Sequence, residues 1–315
     1  MNITIILKGI AMGIAEAIPG VSGGTIAFIT GIYERLLLAI GKILGPEVIG
    51  ELRKEGVAAA WRAADGGFIL QLGIGMVGGL ILAVVGITEL LVHYPPVVWA
   101  FFFGLIISSA IYIGRQITQW GIGPIVLLVA GVIIAYFLTT INPMAGSSSL
   151  IFVFIAGAIA ISALILPGIS GSFILLLLGM YTVVFSAVRD LLGGELGKIQ
   201  IVIVFGLGCL VGLALFSRLL TYTFKTFPNQ TLAILTGFMV GSLNKLWPWR
   251  NPLSTRINSK GEEVPLLEIP VLPSQYTEGA TFLPGVIVAF LVGMIIVFVL
   301  DYYTPDTKDI LEEAE

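Results

Sequence analysis

Charge is what this chain has least of. Only 11% of its 315 residues are Asp, Glu, Lys or Arg, against roughly 25% in an ordinary soluble domain. That is too little polar surface to clothe a water-facing globule. The lone cysteine, Cys209, excludes an intramolecular disulfide and a cysteine-cluster metal site. The lone histidine, His93, excludes two-histidine chemistry and reads as a loop residue beside Tyr94 and Pro95. A net charge of −3 leaves no basic surface for nucleic acid. Apolar side chains make up 57% of the chain and glycine supplies 39 residues. This composition specifies a polytopic membrane protein with closely packed, interrupted helices.

At ~20 residues per crossing, single spans are predicted near 68–92, 97–113, 122–140, 199–224, 231–246 and 282–300. Two longer apolar stretches, 3–44 and 150–188, are each interrupted once. The first break is Pro19-Gly20-Val21-Ser22-Gly23-Gly24 and the second is Pro167-Gly168-Ile169-Ser170-Gly171-Ser172. Lys8 and Glu16 interrupt the N-terminal stretch, so it reads as mature structure and not as a cleaved leader. The polar stretches are 45–67 and 251–281. The latter carries Pro252, Pro265, Pro270 and Pro273 and reads as a surface loop or small extramembrane cap. The acidic tail 304–315 is expected in solvent. Trp99, Trp120, Trp247 and Trp249 fit an interfacial belt.

The chain also resembles itself. Pro19-Gly20-Val21-Ser22-Gly23 aligns with Pro167-Gly168-Ile169-Ser170-Gly171, and Gly31-Ile32-Tyr33 with Gly179-Met180-Tyr181. At a second offset, Gly75, Gly79, Thr88, Pro95 and Gly104 meet Gly208, Gly212, Thr221, Pro228 and Gly237. Each broken stretch is too long for one crossing at about 1.5 Å per residue. It must enter and return, as a re-entrant hairpin or as two spans. Three further spans make each half odd in its crossings. The expected fold is therefore all-α, with two inverted-topology repeats. Residues 1–146 form the first, and 147–303, with the polar insert 251–281, form the second. Inverted halves with broken helices recur among secondary transporters. The distribution of Lys and Arg favours a cytoplasmic N-terminus.

The breaks carry the candidate chemistry. Pro19, Gly20, Pro167 and Gly168 end helices, because proline lacks an amide proton and glycine admits unusual dihedrals. Ser22 and Ser170 suit the N-caps of the helices that follow. The first amides there are free and lie at the positive dipole end, which suits a phosphate or carboxylate. Ser22, Gly23, Gly24, Thr25, Ser170, Gly171 and Ser172 are the candidate anion-binding residues. One such break alone is as readily a glycine-packed hairpin with a locally capped serine. Two copies at matching places in inverted halves point to a shared pocket. A charge at mid-membrane costs ~2.5–3.5 kcal/mol on insertion scales. Glu16, three residues before Pro19, is thus a candidate proton or sodium site for coupling, and its counterpart in the repeat is Leu164. Arg35 offers a fork for phosphate; alternatively Glu34 and Arg35 sit at an interface or pair structurally.

These motifs carry a family resemblance. Gly13-Ile14-Ala15-Glu16-Ala17-Ile18-Pro19-Gly20-Val21-Ser22-Gly23-Gly24-Thr25, with Gly31-Ile32-Tyr33-Glu34, resembles the signature of the DUF368 membrane proteins. So does Leu166-Pro167-Gly168-Ile169-Ser170-Gly171-Ser172 with Gly179-Met180-Tyr181. The resemblance implies a multi-pass protein of a bacterial or archaeal cytoplasmic membrane. It implies a transporter that moves a polyprenyl phosphate, such as undecaprenyl phosphate, between leaflets. No cofactor is implied, and the partner is the lipid itself. Two alternatives use the same pocket: a transporter of a small soluble anion, and a membrane enzyme acting on a lipid phosphate. Against the enzyme, the sequence offers no second histidine, no nucleophile paired with a base, and no Asp-rich metal motif.

Overall fold

The computed structural model describes residues 2–17, 22–43, 45–144, 146–147, 149–257 and 263–303. The acidic tail lies outside them. The first apolar stretch forms α1 (Ile3–Glu16), α2 (Gly23–Ile29) and α3 (Tyr33–Ile43). The polar stretch that follows holds two short helices, α4 (Pro46–Lys54) and α5 (Val57–Ala63). A continuous rod then runs from α6 (Gly66–Leu82) through a π-helical turn, Ala83–Ile87, into α7 (Thr88–His93). Two helices, α8 (Pro95–Arg115) and α9 (Ile122–Thr140), complete the first half. The second half holds α10 (Leu150–Ile165), α11 (Gly171–Leu177), α12 (Tyr181–Leu192), α13 (Ile199–Thr226), α14 (Pro228–Leu246) and α15 (Leu283–Tyr303).

Among the described residues, five helical rods are long and apolar enough to cross a bilayer: Gly66–His93, Pro95–Arg115, Ile122–Thr140, Ile199–Thr226 and Leu283–Leu300. The predicted span at 231–246 falls in α14, which has 19 residues but is not among them. Asn229, Gln230, Asn244 and Lys245 dilute its ends, while its middle is buried against α8 and α9. Burial sorts the rods by role. More than half of the α8 window is buried, against less than a fifth for α9, α13 and α15. Those three show Ile133, Leu207 and Ile287 outward, as a lipid-facing surface requires.

The helices pair side by side through glycine. Gly75 and Gly79 of α6 lie against the carbonyls of Ile6 and Ile10 of α1, and Gly208 and Gly212 of α13 against those of Phe154 and Ala158 of α10. Gly104 of α8 meets Phe290 of α15, and Gly237 of α14 meets Leu128 of α9. In each pair the contacts climb both helices in the same direction, so the partners run parallel. Any Cβ at these glycines would overlap a backbone carbonyl. Small residues at the contact let two backbones approach where lipid supplies no hydrophobic drive for association.

Two expectations are corrected. Each long apolar stretch breaks twice, not once. Beyond the Pro-Gly break, α2 and α11 both end in a Schellman turn, with Gly31 at φ +70° and Gly179 at φ +67°. The bonds are Ile32 N–H to Ala27 O with Gly31 N–H to Phe28 O, and Met180 N–H to Leu175 O with Gly179 N–H to Leu176 O. Glycine tolerates this left-handed position. The turn at Gly179 bends α11 from α12 by 113°.

The fold is also not all-α. The insert folds as an antiparallel hairpin, β1 (Arg250–Ile257) with β2 (Glu263–Pro270), with Arg250 opposite Pro270 and Arg256 opposite Val264. A two-stranded ribbon has a free edge on each strand, where proline costs no ladder bond. The pairing is irregular between Pro252 and Thr255. Trp247 and Trp249 donate their indole N–H groups to Val271 O (2.8 Å) and Thr281 O (3.0 Å). Trp249 is buried with Ala100 and Val286. These contacts fasten the hairpin over the start of α8, the end of α14 and the start of α15.

Candidate functional site

Helix α2 is held at both ends by α1. At its start, Glu16 Oε1 accepts from Gly23 N–H at 2.6 Å, and the N-cap hydroxyl of Ser22 accepts from Gly24 N–H at 3.1 Å. At its end, Lys8 Nζ donates to Thr30 O. A carboxylate at the N-terminus and a cation at the C-terminus both complement the dipole. The amides of Gly23 and Gly24, expected to be free for an anion, are thus already taken by the protein's own oxygens. Glu16 lies at the end of α1, close enough to reach over the break. Pro19 and Gly20 fall outside the described residues.

The second break meets the first directly. The Ser22 hydroxyl points its proton between the carbonyls of Leu164 (3.1 Å) and Leu166 (3.0 Å). Gly168, at φ +83°, donates its N–H to Thr25 Oγ1 at 3.2 Å. Gly24 sits so close to the carbonyl of Ile165 that a Cβ there would overlap the oxygen. Ser22 and Thr25 are fully buried and Ser170 is nearly so. The structure therefore brings Glu16, Ser22, Gly23, Gly24, Thr25, Pro167 and Gly168 into one polar junction.

On the other side of Gly168 the arrangement is more open. Ser170 and Ser172 hydrogen-bond each other at 2.9 Å. Among the described residues, the amides of Gly171, Ser172 and Phe173 have no acceptor. A small cavity of about 20 Å³, room for one water, is lined there by Gly168, Ser170, Thr139, Ser242 and Lys245. The ammonium of Lys245 stands 5.5 Å from the centre of the Phe173 ring. The sequence does not single out Lys245, which enters there only through the distribution of Lys and Arg. Its signal was a cation directly after the apolar, serine-bearing run of α14.

Arg35 is placed elsewhere. Its Nε and Nη2 bind Asp65 Oδ2 (2.7 Å) and Oδ1 (3.1 Å), its guanidinium lies over Phe68, and half of its side chain is exposed.

Two of the apolar cavities among the described residues open beside the junction. The larger, about 830 Å³, is walled by Ala15 of α1, Ile26 of α2, Val98, Phe102 and Leu105 of α8, and Val292 of α15. The smaller, about 560 Å³, is walled by Leu166 beside the second break, Leu220 of α13, and Thr231, Leu235 and Phe238 of α14. Both are almost devoid of polar surface. A long apolar chain can lie in either, with a polar head at the junction between them.

The architecture defines a multi-pass helical membrane protein with a buried polar centre shared by two glycine-broken helices. Within that class, the chain belongs to the VCA0040-like family, described as undecaprenyl phosphate translocase-like, whose model matches residues 12–264. This is the DUF368 family that its motifs resemble. It is 44% identical over 270 residues to a protein of Vibrio cholerae serotype O1 named polyprenyl-phosphate transporter, covering 86% of this chain and 85% of that one. It is 33% identical over 266 residues to a Staphylococcus aureus protein of the same name, covering 77% of this chain and 85% of that one. No solved structure matches the chain.

Proposed function

We propose that this protein is a flippase-type carrier, not an enzyme, that moves a polyprenyl phosphate such as undecaprenyl phosphate between the leaflets of a bacterial or archaeal cytoplasmic membrane. The observation that carries this reading is the direct junction of the two break motifs, with an apolar cavity on either side. A phosphate headgroup cannot cross hydrocarbon unaided, because burying an unpaired charge is prohibitive. The junction offers it polar partners while the isoprenoid tail stays in an apolar groove. The names of both relatives support the same substrate.

In this reading the two halves are inverted copies. The recurrence of contacts supports it. Gly75 on Ile6 reappears as Gly208 on Phe154, and Gly79 on Ile10 as Gly212 on Ala158. The cavities recur as well. Val98, Phe102 and Leu105 line the larger, and the residues 133 positions later, Thr231, Leu235 and Phe238, line the smaller. Inverted copies place these cavities at opposite leaflets, as alternating access requires.

Ser170, Gly171 and Ser172, with their unfilled amides and the Lys245 ammonium nearby, take the headgroup in this conformation. Ser22, Gly23, Gly24 and Thr25 complete the cradle when Glu16 releases the Gly23 amide. Protonation of Glu16, or capture of sodium by it, would drive that release and couple transport to an ion gradient. A headgroup reaching Arg35 must displace Asp65. The N-terminus faces the cytoplasm, which puts the hairpin outside. The test is leaflet redistribution of polyprenyl phosphate by purified protein in liposomes, followed with a membrane-impermeant reagent. Redistribution without release of inorganic phosphate is expected. Phosphate release would make the protein an enzyme. Uptake of a soluble anion with the lipid left in place would make it a transporter of another kind.

A further inference from the structure

The hairpin covers a third kind of cavity, about 210 Å³, lined by Pro95, Trp99, Arg250, Glu268, Tyr276 and Glu278 among others. Unlike the two large apolar cavities, it has charged walls. Arg250 opens β1 and is only 6% exposed. Its Nη1 donates to Glu268 Oε2 at 2.9 Å, and its guanidinium carbon lies 4.2 Å from the centre of the Trp99 ring. Its Nε–H is buried and, among the described residues, has no acceptor. An orphaned buried donor on a charged group is rare and calls for an explanation.

Apart from Glu278, an exposed carboxylate in the cavity wall, the charges next to it do not balance. Lys245 Nζ reaches the same Glu268 oxygen, at 3.4 Å, so two cations share one carboxylate. Burial draws the Arg250 guanidinium below its usual pKa, and Glu268 pulls it back. Glu278 lines the cavity from an exposed position. A phosphate monoanion beside Glu268 would neutralise the triad, and a dianion would do so once Glu268 turned outward. A fifth of the Glu268 side chain is exposed. The guanidinium fork matches a phosphate with two parallel donors, an arrangement the ammonium of lysine cannot reproduce.

We propose that this cavity is a phosphate-binding site, in which Arg250 takes a phosphate or phosphomonoester through its guanidinium and Glu268 holds the place when the site is empty. The proposal rests on the reading of this protein as a carrier of a phosphorylated lipid and adds a station on the hairpin side. Lys245 touches both this triad and the small cavity at the second break, so it links the station to the junction.

The test uses the full chain in nanodiscs, titrated separately with inorganic phosphate and with polyprenyl phosphate. Binding is read by calorimetry and by Trp emission, with Trp99→Phe identifying the reporter. Arg250→Lys keeps the charge and loses the fork, and should weaken binding at least tenfold. Glu268→Gln removes the competing anion and should tighten it at least threefold, a gain that misfolding cannot mimic. Binding of the lipid alone, with these two responses, supports the site and makes the headgroup its ligand. Binding of inorganic phosphate alone, with the same responses, supports the site and assigns it the free ion. If neither variant changes either titration while liposomes still redistribute the lipid, the site is overturned and the transport reading stands. If the titrations respond as expected but the lipid never changes leaflet, the transport reading fails and the site stands.

Discussion

Replacing Gly24 by alanine tests the junction at its tightest point. The new Cβ would overlap the carbonyl oxygen of Ile165 and stand 3.0 Å from its carbon. Carbon atoms settle at about 3.5–4.0 Å, so the two broken segments must part by about 1 Å. The Ser22–Leu166 bond at 3.0 Å and the Thr25–Gly168 bond at 3.2 Å would then stretch beyond the ~3.2 Å limit of a good hydrogen bond. Overpacking costs ~1–3 kcal/mol and each lost bond ~0.5–1.5 kcal/mol. The total is roughly 2–6 kcal/mol, and even its lower end is about a thirtyfold loss of the joined state. Transport in liposomes should fall at least tenfold and the unfolding midpoint should drop, with the protein still inserted. Gly67→Ala, where a Cβ meets nothing within 4 Å, is the matched control. Wild-type transport and melting in Gly24→Ala would refute the argument that the two motifs work in contact.

Glu16→Gln keeps an oxygen for the Gly23 amide and removes the charge, so melting should hardly move while the response of transport to a pH or sodium gradient is lost. An unchanged gradient response removes Glu16 from coupling. Gly208→Ala, against the Phe154 carbonyl, should destabilise by ~1–3 kcal/mol. Gly78→Ala, which meets nothing, should be neutral or stabilising by up to ~1 kcal/mol. Thermal unfolding in one detergent compares the two. Val98→Trp and Thr231→Trp each fill one apolar cavity at equivalent positions, and both should slow lipid redistribution several-fold. Inhibition by only one of them would argue against the paired grooves.

The two Pro-Gly breaks were legible because nothing else puts proline, glycine and serine together inside forty apolar residues. The second break of each stretch was written just as plainly, as Gly31-Ile32-Tyr33 and Gly179-Met180-Tyr181. It went unread because a lone glycine inside an apolar helix is compatible with continuation, and only the φ angle decides. The hairpin was hidden by its prolines, which argue against strands wherever both edges are paired but not in a ribbon of two. The contact of Ser22 with Leu164 joins residues 142 positions apart. No local pattern encodes such a pairing, and only the self-similarity of the chain hinted at it. Lys245 and Arg250 enter the sequence only through the distribution of Lys and Arg, because their common partner, Glu268, lies across a strand pairing that the sequence does not announce.

The clamp on α2 has a mechanical consequence. Lys8 and Glu16 sit on one rigid helix and grip both ends of their neighbour, so α1 and α2 tilt as a unit or break a charged contact. Their counterparts at the matching positions of α10 are Ala156 and Leu164, which can grip nothing by charge. Among the described residues, α11 is tied at its far end by a backbone bond from Met144 to Leu177. If one part of this molecule rocks against the other, the first half is built as the anvil and the second as the hinge.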